Sequence, residues 1–189
     1  YELTVVGCDS QGTVSPEAIQ DALRPTTRLV SIMHANNEIG SVQPIREISD
    51  LCHAQDVLVH TDAAQSVGKL PVTVSELDVD LLSVAGHKLY APKGVGALFV
   101  RRGIPLEPAL HGAGHEGGVR PGTENVPYIV GLGRAMTLAT EDLNSRQERL
   151  AQLRDRLEEQ LRETLGDRMS INGLGAERLP NTSSVNFPN

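Results

Sequence analysis

The chain has 189 residues, a formal net charge of −7 and a sequence pI of about 5.3, and its Lys and Arg residues are spread along its length. This charge balance argues against nucleic acid and anionic membranes as binding partners. The two cysteines, Cys8 and Cys52, are too few for a disulfide scaffold and are typical of a reducing compartment such as the cytoplasm. No apolar run reaches 18 residues, so the sequence predicts no membrane-spanning helix.

The predicted elements alternate between helices and strands. A helix begins at Ser15, which caps it, and Pro16 fits its first turn. A second helix begins at Pro44. Apolar strands are predicted at 28–34, 57–62 and 80–85, and a fourth at 94–100 that turns back. This alternation predicts an α/β fold with a mostly parallel sheet and helices on both of its faces.

A long helical region follows, with a break near 142–144. Beyond the break, leucines recur every three or four residues between charges, which predicts an amphipathic helix ending near Gly166. We divide the chain into 1–140, the C-terminal part of a large domain; 141–166, a connecting helix; and 167–189, the beginning of a small α/β domain. Both ends of the chain lie in strand-like sequence, so we expect a piece of a longer protein.

Polar or ionisable side chains follow three of the predicted strands. They are Asn36, Asn37, Asp62, Gln65, His87 and Lys88. In parallel α/β sheets, ligands bind beyond the carboxyl ends of the strands. The convergence of these side chains at one sheet edge therefore predicts a ligand site there.

Lys88 lies in the segment "SVAGHKLYAP", directly after the third strand. It is either a surface lysine in a turn or a Schiff-base lysine, whose amine is activated by partial desolvation or by a nearby cation. Asp62 favours the second interpretation, because a carboxylate at the end of a buried strand needs a cationic partner. The protonated ring nitrogen of pyridoxal 5'-phosphate is such a partner. Gln65 and Asn37 are placed to reach the phenolic oxygen of the same ring.

The glycine-rich stretch 111–125 contains a G-x-G-x-x-G pattern, but no buried strand leads into it and no helix starts at once. His111 and His115 would suit a metal only on a helix, which the surrounding glycines disfavour, so we predict no metal site. The stretch is instead interpreted as a mobile loop whose Arg120 and Thr123 present donors to a phosphate.

Four segments together resemble a known family: "SIMHANNEIGSVQPI", "HTDAAQSVGKLPV", "DLLSVAGHKLYAPKGVGALFVRR" and "RPGTEN". They resemble the cysteine desulfurases, class V pyridoxal-phosphate enzymes of aminotransferase fold type I. The similarity covers nearly the whole chain and is weakest after Leu165. It implies the transferase fold type I, with part of the large cofactor-binding domain and the start of the small one. It also implies conversion of L-cysteine to L-alanine, with the sulfur passed to an enzyme cysteine for iron–sulfur cluster or thiocofactor synthesis.

The resemblance also implies roles for individual residues. Lys88 is the catalytic lysine that bonds to the cofactor aldehyde, Asp62 pairs with the ring nitrogen, and Gln65 and Asn37 hold the phenolic oxygen.

Further roles concern the cofactor phosphate. The segment Ala85, Gly86 and His87 lies against it, and Thr123 reaches the phosphate of the partner subunit's cofactor, so the family enzyme is a homodimer. A sulfur-acceptor protein is a further expected partner.

Two departures from the family pattern stand out. The family usually has a serine hydroxyl where Ala85 stands, and a hydrogen bond to a charged group contributes about 1.5–3 kcal/mol. Neither Cys8 nor Cys52 matches the cysteine that accepts the sulfur, so we expect that nucleophile outside this chain.

Three other functions remain open at this point. The first is a selenocysteine lyase, a related enzyme that can also have an apolar residue at position 85. The second is a short, catalytically inactive module for dimerisation or cofactor binding. The third is a metal hydrolase that uses His60, Asp62 and His87.

Overall fold

The structure, a computed structural model, describes residues 2–188. Its helices and strands follow the predicted alternation. In chain order they are α1 (Pro16–Ala22), β1 (Leu29–Met33), α2 (Ile45–His53), β2 (Leu58–Asp62), α3 (Val74–Leu77), β3 (Leu81–Ala85), β4 (Gly96–Val100), α4 (Val126–Thr140), α5 (Leu143–Leu165), β5 (Ser170–Ile171) and β6 (Val185–Asn186).

The main sheet has the strand order β1-β2-β3-β4. The first three strands are parallel, and β4 runs antiparallel to β3, so the prediction that this strand turns back is confirmed. Met33 pairs with Asp62, and Asp62 pairs with Ser83. This register brings the carboxyl ends of the three parallel strands to one edge of the sheet.

The core lies between this sheet and the helices that precede β2 and β3. The side chains of Ile45, Ile48 and Cys52 on α2 are fully buried and pack with Val59 of β2 and Leu82 of β3. Burying one such aliphatic side chain stabilises the fold by about 1.5–3 kcal/mol. As predicted, Ser15 caps α1, and its Oγ accepts a hydrogen bond from the Ala18 N–H at 3.1 Å.

The opposite face of the sheet is open along β1. Val30 and Ile32 pack into the core, whereas Leu29 is 50% exposed and Met33 is 38% exposed. The prediction of an α/β fold with a mostly parallel sheet is confirmed. The sequence predicts helices on both faces of the sheet. Within residues 2–188, helices cover β1 on one face only.

The helical region after position 125 breaks as predicted. Asp142 between α4 and α5 has a left-handed backbone (φ 50°), and Gly166 ends α5. The leucine stripe of α5 is only partly covered, since Leu153 and Leu157 are half exposed. The buried residue of α5 is Glu158, whose carboxylate accepts two hydrogen bonds from the Arg178 guanidinium at 2.8 and 2.9 Å.

The C-terminal segment begins with Met169, and its strands β5 and β6 form a two-stranded antiparallel hairpin. Between these strands the chain returns to the first part of the molecule. The Leu179 N–H donates to the Gly40 carbonyl at 2.8 Å, and the Val42 N–H donates to the Glu177 carbonyl at 2.9 Å. The segment therefore braces the loop that follows β1.

None of the helices within residues 2–188 is long and apolar enough to cross a membrane.

Candidate functional site

A cavity of about 170 Å³ lies at the carboxyl ends of β1 and β2. It is lined by Met33, Ala35, Asn37, Asp62, Ala64 and Gln65. Three of these residues, Asn37, Asp62 and Gln65, are ones that the sequence singled out. The strand register explains their meeting, because it places the ends of β1 and β2 side by side.

Asp62 is the last residue of β2, and the turn that follows it fixes its carboxylate. Oδ1 accepts a hydrogen bond from the Ala64 N–H at 2.8 Å. Within residues 2–188, Oδ2 has no hydrogen-bond partner and is left for a ligand. The side chain is exposed at the cavity, however. The sequence argument that burial obliges Asp62 to have a cationic partner is therefore wrong. The case for a cationic ligand rests instead on the unpaired Oδ2 atom of this carboxylate.

The side chains of Asn36 and Asn37, which follow β1, make different contacts. Asn36 Oδ1 accepts hydrogen bonds from the Glu38 and Ile39 N–H groups at 2.8 and 3.0 Å, so this side chain shapes the loop. Asn37 is exposed and lines the cavity. Of the pair, only Asn37 lines the cavity.

Lys88 lies in a short 3-10 turn, Gly86–Leu89, directly after β3. Gly86 is required there, because a Cβ at this position would lie 2.6 Å from the Val95 carbonyl oxygen. Ala85 ends β3 before the turn, and His87 and Lys88 are both exposed. The amine of Lys88 is therefore accessible to a ligand from solvent.

Lys69, a residue that sequence reasoning missed, lies next to Gln65. Its Nζ donates to the Gln65 carbonyl at 2.9 Å and to Gln65 Oε1 at 3.2 Å. Partial burial lowers the pKa of Lys69, and the charge of Lys88 lowers it further. In the sequence, "SVGKLP" has the composition of a surface turn, and no periodic pattern marks its lysine as a site residue.

A second residue that sequence reasoning missed is His34, which follows β1 and is buried. Its Nδ1 shares a hydrogen bond with Ser66 Oγ at 2.9 Å, and its N–H donates to the Asp62 carbonyl at 2.8 Å. Burial lowers the pKa of His34, so the neutral ring is favoured. His34 ties the end of β1 to the turn that carries Gln65.

The glycine-rich stretch forms an open loop with one short 3-10 turn, Glu116–Gly118. Residues 111–115 are not helical, so His111 and His115 do not share a helix face. Arg120 and Thr123 are exposed and do not line the cavity. The structure thus does not bring Thr123 together with Asn37, Asp62 and Gln65.

The geometry of His60 argues against the metal-hydrolase hypothesis. Its Nδ1 shares a hydrogen bond with Ser31 Oγ at 2.8 Å, and its Nε2 shares one with Ser83 Oγ at 2.9 Å. Both ring nitrogens are therefore engaged across the sheet. Burial lowers the pKa of His60, and the charge of Asp62 opposes that shift.

The groups that remain available fit pyridoxal 5'-phosphate. The free Oδ2 of Asp62 suits a protonated ring nitrogen, the amides of Asn37 and Gln65 suit a ring oxygen, and Lys88 supplies an exposed amine. Each of the three kinds of group has a different counterpart on this cofactor: the ring nitrogen for the carboxylate, the ring oxygen for the amides and the aldehyde for the amine.

Comparisons with known proteins identify the family of the chain. The aminotransferase class V family model matches residues 1–189. The chain is 46% identical over 187 residues to a cysteine desulfurase IscS of Dictyoglomus turgidum, covering 99% of this chain and 47% of that protein.

Two solved structures are also similar. A NifS-like protein matches 99% of the chain and 51% of its own, with 41% identity and a TM-score of 0.92. The structure of SspA in complex with cysteine matches all of this chain and 52% of its own, with 36% identity and a TM-score of 0.83. The chain thus spans about half the length of these relatives.

Proposed function

Because the chain belongs to the aminotransferase class V family, we propose that it is part of a pyridoxal-phosphate-dependent cysteine desulfurase. The observation that carries the proposal is the cavity at the strand ends, where Asn37, Asp62 and Gln65 converge. The names of the similar proteins support it, since one is a cysteine desulfurase and another is a complex with cysteine.

The reaction removes the sulfur of L-cysteine and leaves L-alanine. A protein thiolate attacks the substrate sulfur, so that an S–S bond forms while the C–S bond breaks, and the electron pair of the C–S bond stays with carbon and is protonated. The bound cofactor supplies an electron sink that delocalises the negative charge developing on the substrate. Atoms balance, because cysteine plus a protein thiol gives alanine plus a protein persulfide.

The residues of this chain hold and orient the reactants. With the cofactor bound, Asp62 would keep the ring nitrogen protonated, and Gln65 and Asn37 would hold the ring oxygen. Lys88 would bind the cofactor aldehyde and move protons at the substrate carbon. Gly86 and His87 would lie against the phosphate, together with Ala85, which would contribute no hydroxyl.

The sulfur-accepting cysteine is proposed to lie outside residues 1–189. Cys52 is buried in the core, and this burial raises the pKa of its thiol to about 11, which opposes thiolate formation at neutral pH. Cys8 is exposed but precedes α1, and it is not among the residues that line the cavity.

The working enzyme is proposed to be a cytoplasmic homodimer that passes its sulfur to an acceptor protein for iron–sulfur cluster or thiocofactor synthesis. Exposed apolar residues on α4 support a dimer interface, since Val126 is 60% exposed and Val130 is 65% exposed. Thr123 precedes this helix, and we propose that it reaches the phosphate of the partner subunit's cofactor. The proposed domain limits remain 1–140, 141–166 and 167–189.

The proposal is tested by product analysis of the full-length protein loaded with cofactor. We expect L-cysteine to give alanine and, with a thiol reductant, sulfide in equal amounts. Turnover of L-selenocysteine without turnover of L-cysteine would identify a selenocysteine lyase instead. Formation of pyruvate and ammonia in place of alanine would contradict the proposed reaction.

A further inference from the structure

Gln65 is held by a residue to which no role has yet been given. Lys69 Nζ lies 3.2 Å from Gln65 Oε1 and 2.9 Å from the Gln65 carbonyl oxygen. A lysine ammonium offers three donors and no acceptor, so only the oxygen of the Gln65 amide can face it. The hydrogen bond from Lys69 therefore fixes which end of the Gln65 amide faces the ammonium.

The consequence concerns the other end of the amide. With Oε1 bound to Lys69, Nε2 points away from the ammonium, and it has no hydrogen-bond acceptor within residues 2–188. Because Gln65 lines the cavity, Nε2 is left as a donor for a ligand there. Such a donor suits a ligand oxygen that carries negative charge and does not suit a hydroxyl hydrogen.

Several contacts hold the turn around Lys69 in place. The Lys69 N–H donates to the Ser66 carbonyl at 2.9 Å, and the Ser66 hydroxyl is bound to the buried His34. Gly68 has a left-handed backbone (φ 74°), and a Cβ there would lie 2.8 Å from Leu89 Cδ2. This turn positions the Lys69 ammonium next to Gln65 and packs against the segment that carries Lys88.

We propose that Lys69 is a positioning residue, whose ammonium holds Gln65 Oε1 so that Nε2 donates to the ring oxygen of the bound cofactor. This inference rests on the proposed function. Lys69 touches neither substrate nor cofactor; it acts through Gln65. Loss of the ammonium frees the Gln65 amide to rotate and to turn its oxygen toward the ring oxygen, where two acceptors repel each other.

The test uses the full-length, cofactor-loaded protein and follows its visible absorption band as a function of pH. A donor to the ring oxygen stabilises the form with more negative charge on that oxygen, which is the form that has lost its proton. Lys69→Met should therefore raise the pH midpoint of the band by about 0.5–1 unit, a roughly 3- to 10-fold change in proton affinity. Lys69→Arg keeps a donor and should largely restore the midpoint.

A double-mutant cycle separates positioning from general stabilisation of the fold. In a Gln65→Ala background, Lys69→Met should no longer shift the midpoint, since the amide that it orients is gone. An unchanged midpoint in Lys69→Met, or the same shift in both backgrounds, overturns the inference. Absence of any visible band from the unmodified protein would instead contradict the proposed function, so the two failures are distinguishable.

Discussion

Replacing Asp80 with alanine should lower the free energy of unfolding by about 3 kcal/mol, the low end of the range for removing one partner of a buried ion pair. The Asp80 side chain is only 5% exposed at the start of β3. Its Oδ2 accepts hydrogen bonds from the Val59 N–H at 2.8 Å and from His53 Nε2 at 2.9 Å, and its Oδ1 lies 3.1 Å from Arg101 Nε. The low end applies because His53 and Arg101 stay partly exposed and can be hydrated.

Asp78 provides a matched control for this prediction. It pairs with the same two residues, His53 and Arg101, but its side chain is 30% exposed. Asp78→Asn removes the charge, suits the left-handed backbone at this position (φ 52°) and should cost no more than about 1 kcal/mol, as for other solvent-accessible ion pairs. Urea denaturation of the full-length variants measures both values. Equal losses for Asp78 and Asp80 would contradict the assignment of the stabilisation to the buried carboxylate.

Replacing Asp62 with asparagine should weaken binding of pyridoxal 5'-phosphate by about 10- to 150-fold. The asparagine oxygen can still accept from the Ala64 N–H, so the turn after β2 is expected to persist. What is lost is the charge on Oδ2, which pairs with the protonated ring nitrogen. A hydrogen bond to a charged group contributes roughly 1.5–3 kcal/mol, which corresponds to this change in affinity.

Glu38→Gln is the control for the loss of a negative charge near the cavity. Glu38 follows Asn37 in the same loop, is exposed, and does not line the cavity. Spectroscopic titration of the full-length apoprotein with the cofactor should give an unchanged dissociation constant for this variant. Equal weakening of binding by Glu38→Gln and Asp62→Asn would contradict a specific ion pair between Asp62 and the ring nitrogen. It would indicate that the overall negative charge near the cavity attracts the ring.

Much of the site could be predicted because it depends on strand order. The alternation of strands and helices fixes a parallel sheet, and in such a sheet the residues after β1 and β2 must meet at one edge. Asn37, Asp62 and Gln65 follow from that rule. The proposed role of Lys88 rests on its place directly after β3, and Lys88 is not among the residues that line the cavity.

The remaining features depend on turn geometry and on contacts between distant residues. Lys69 reaches Gln65 only because the intervening turn folds back, with Gly68 in a left-handed conformation. The burial of Glu158 depends on Arg178, 20 residues away, which no helical periodicity reveals. The exposure of Asp62 and Lys88 was also not predictable, because a strand pattern describes the strand and not what covers its end.

The most direct test of the proposed cofactor site is to locate the amine that bonds to pyridoxal 5'-phosphate. The full-length protein should be loaded with the cofactor, reduced with borohydride, digested and mapped by mass spectrometry. We predict a single adduct on the peptide that contains Lys88, and none in Lys88→Ala. An adduct on Lys69, or no adduct from the folded protein, would contradict the assignment of this sheet edge as the cofactor site.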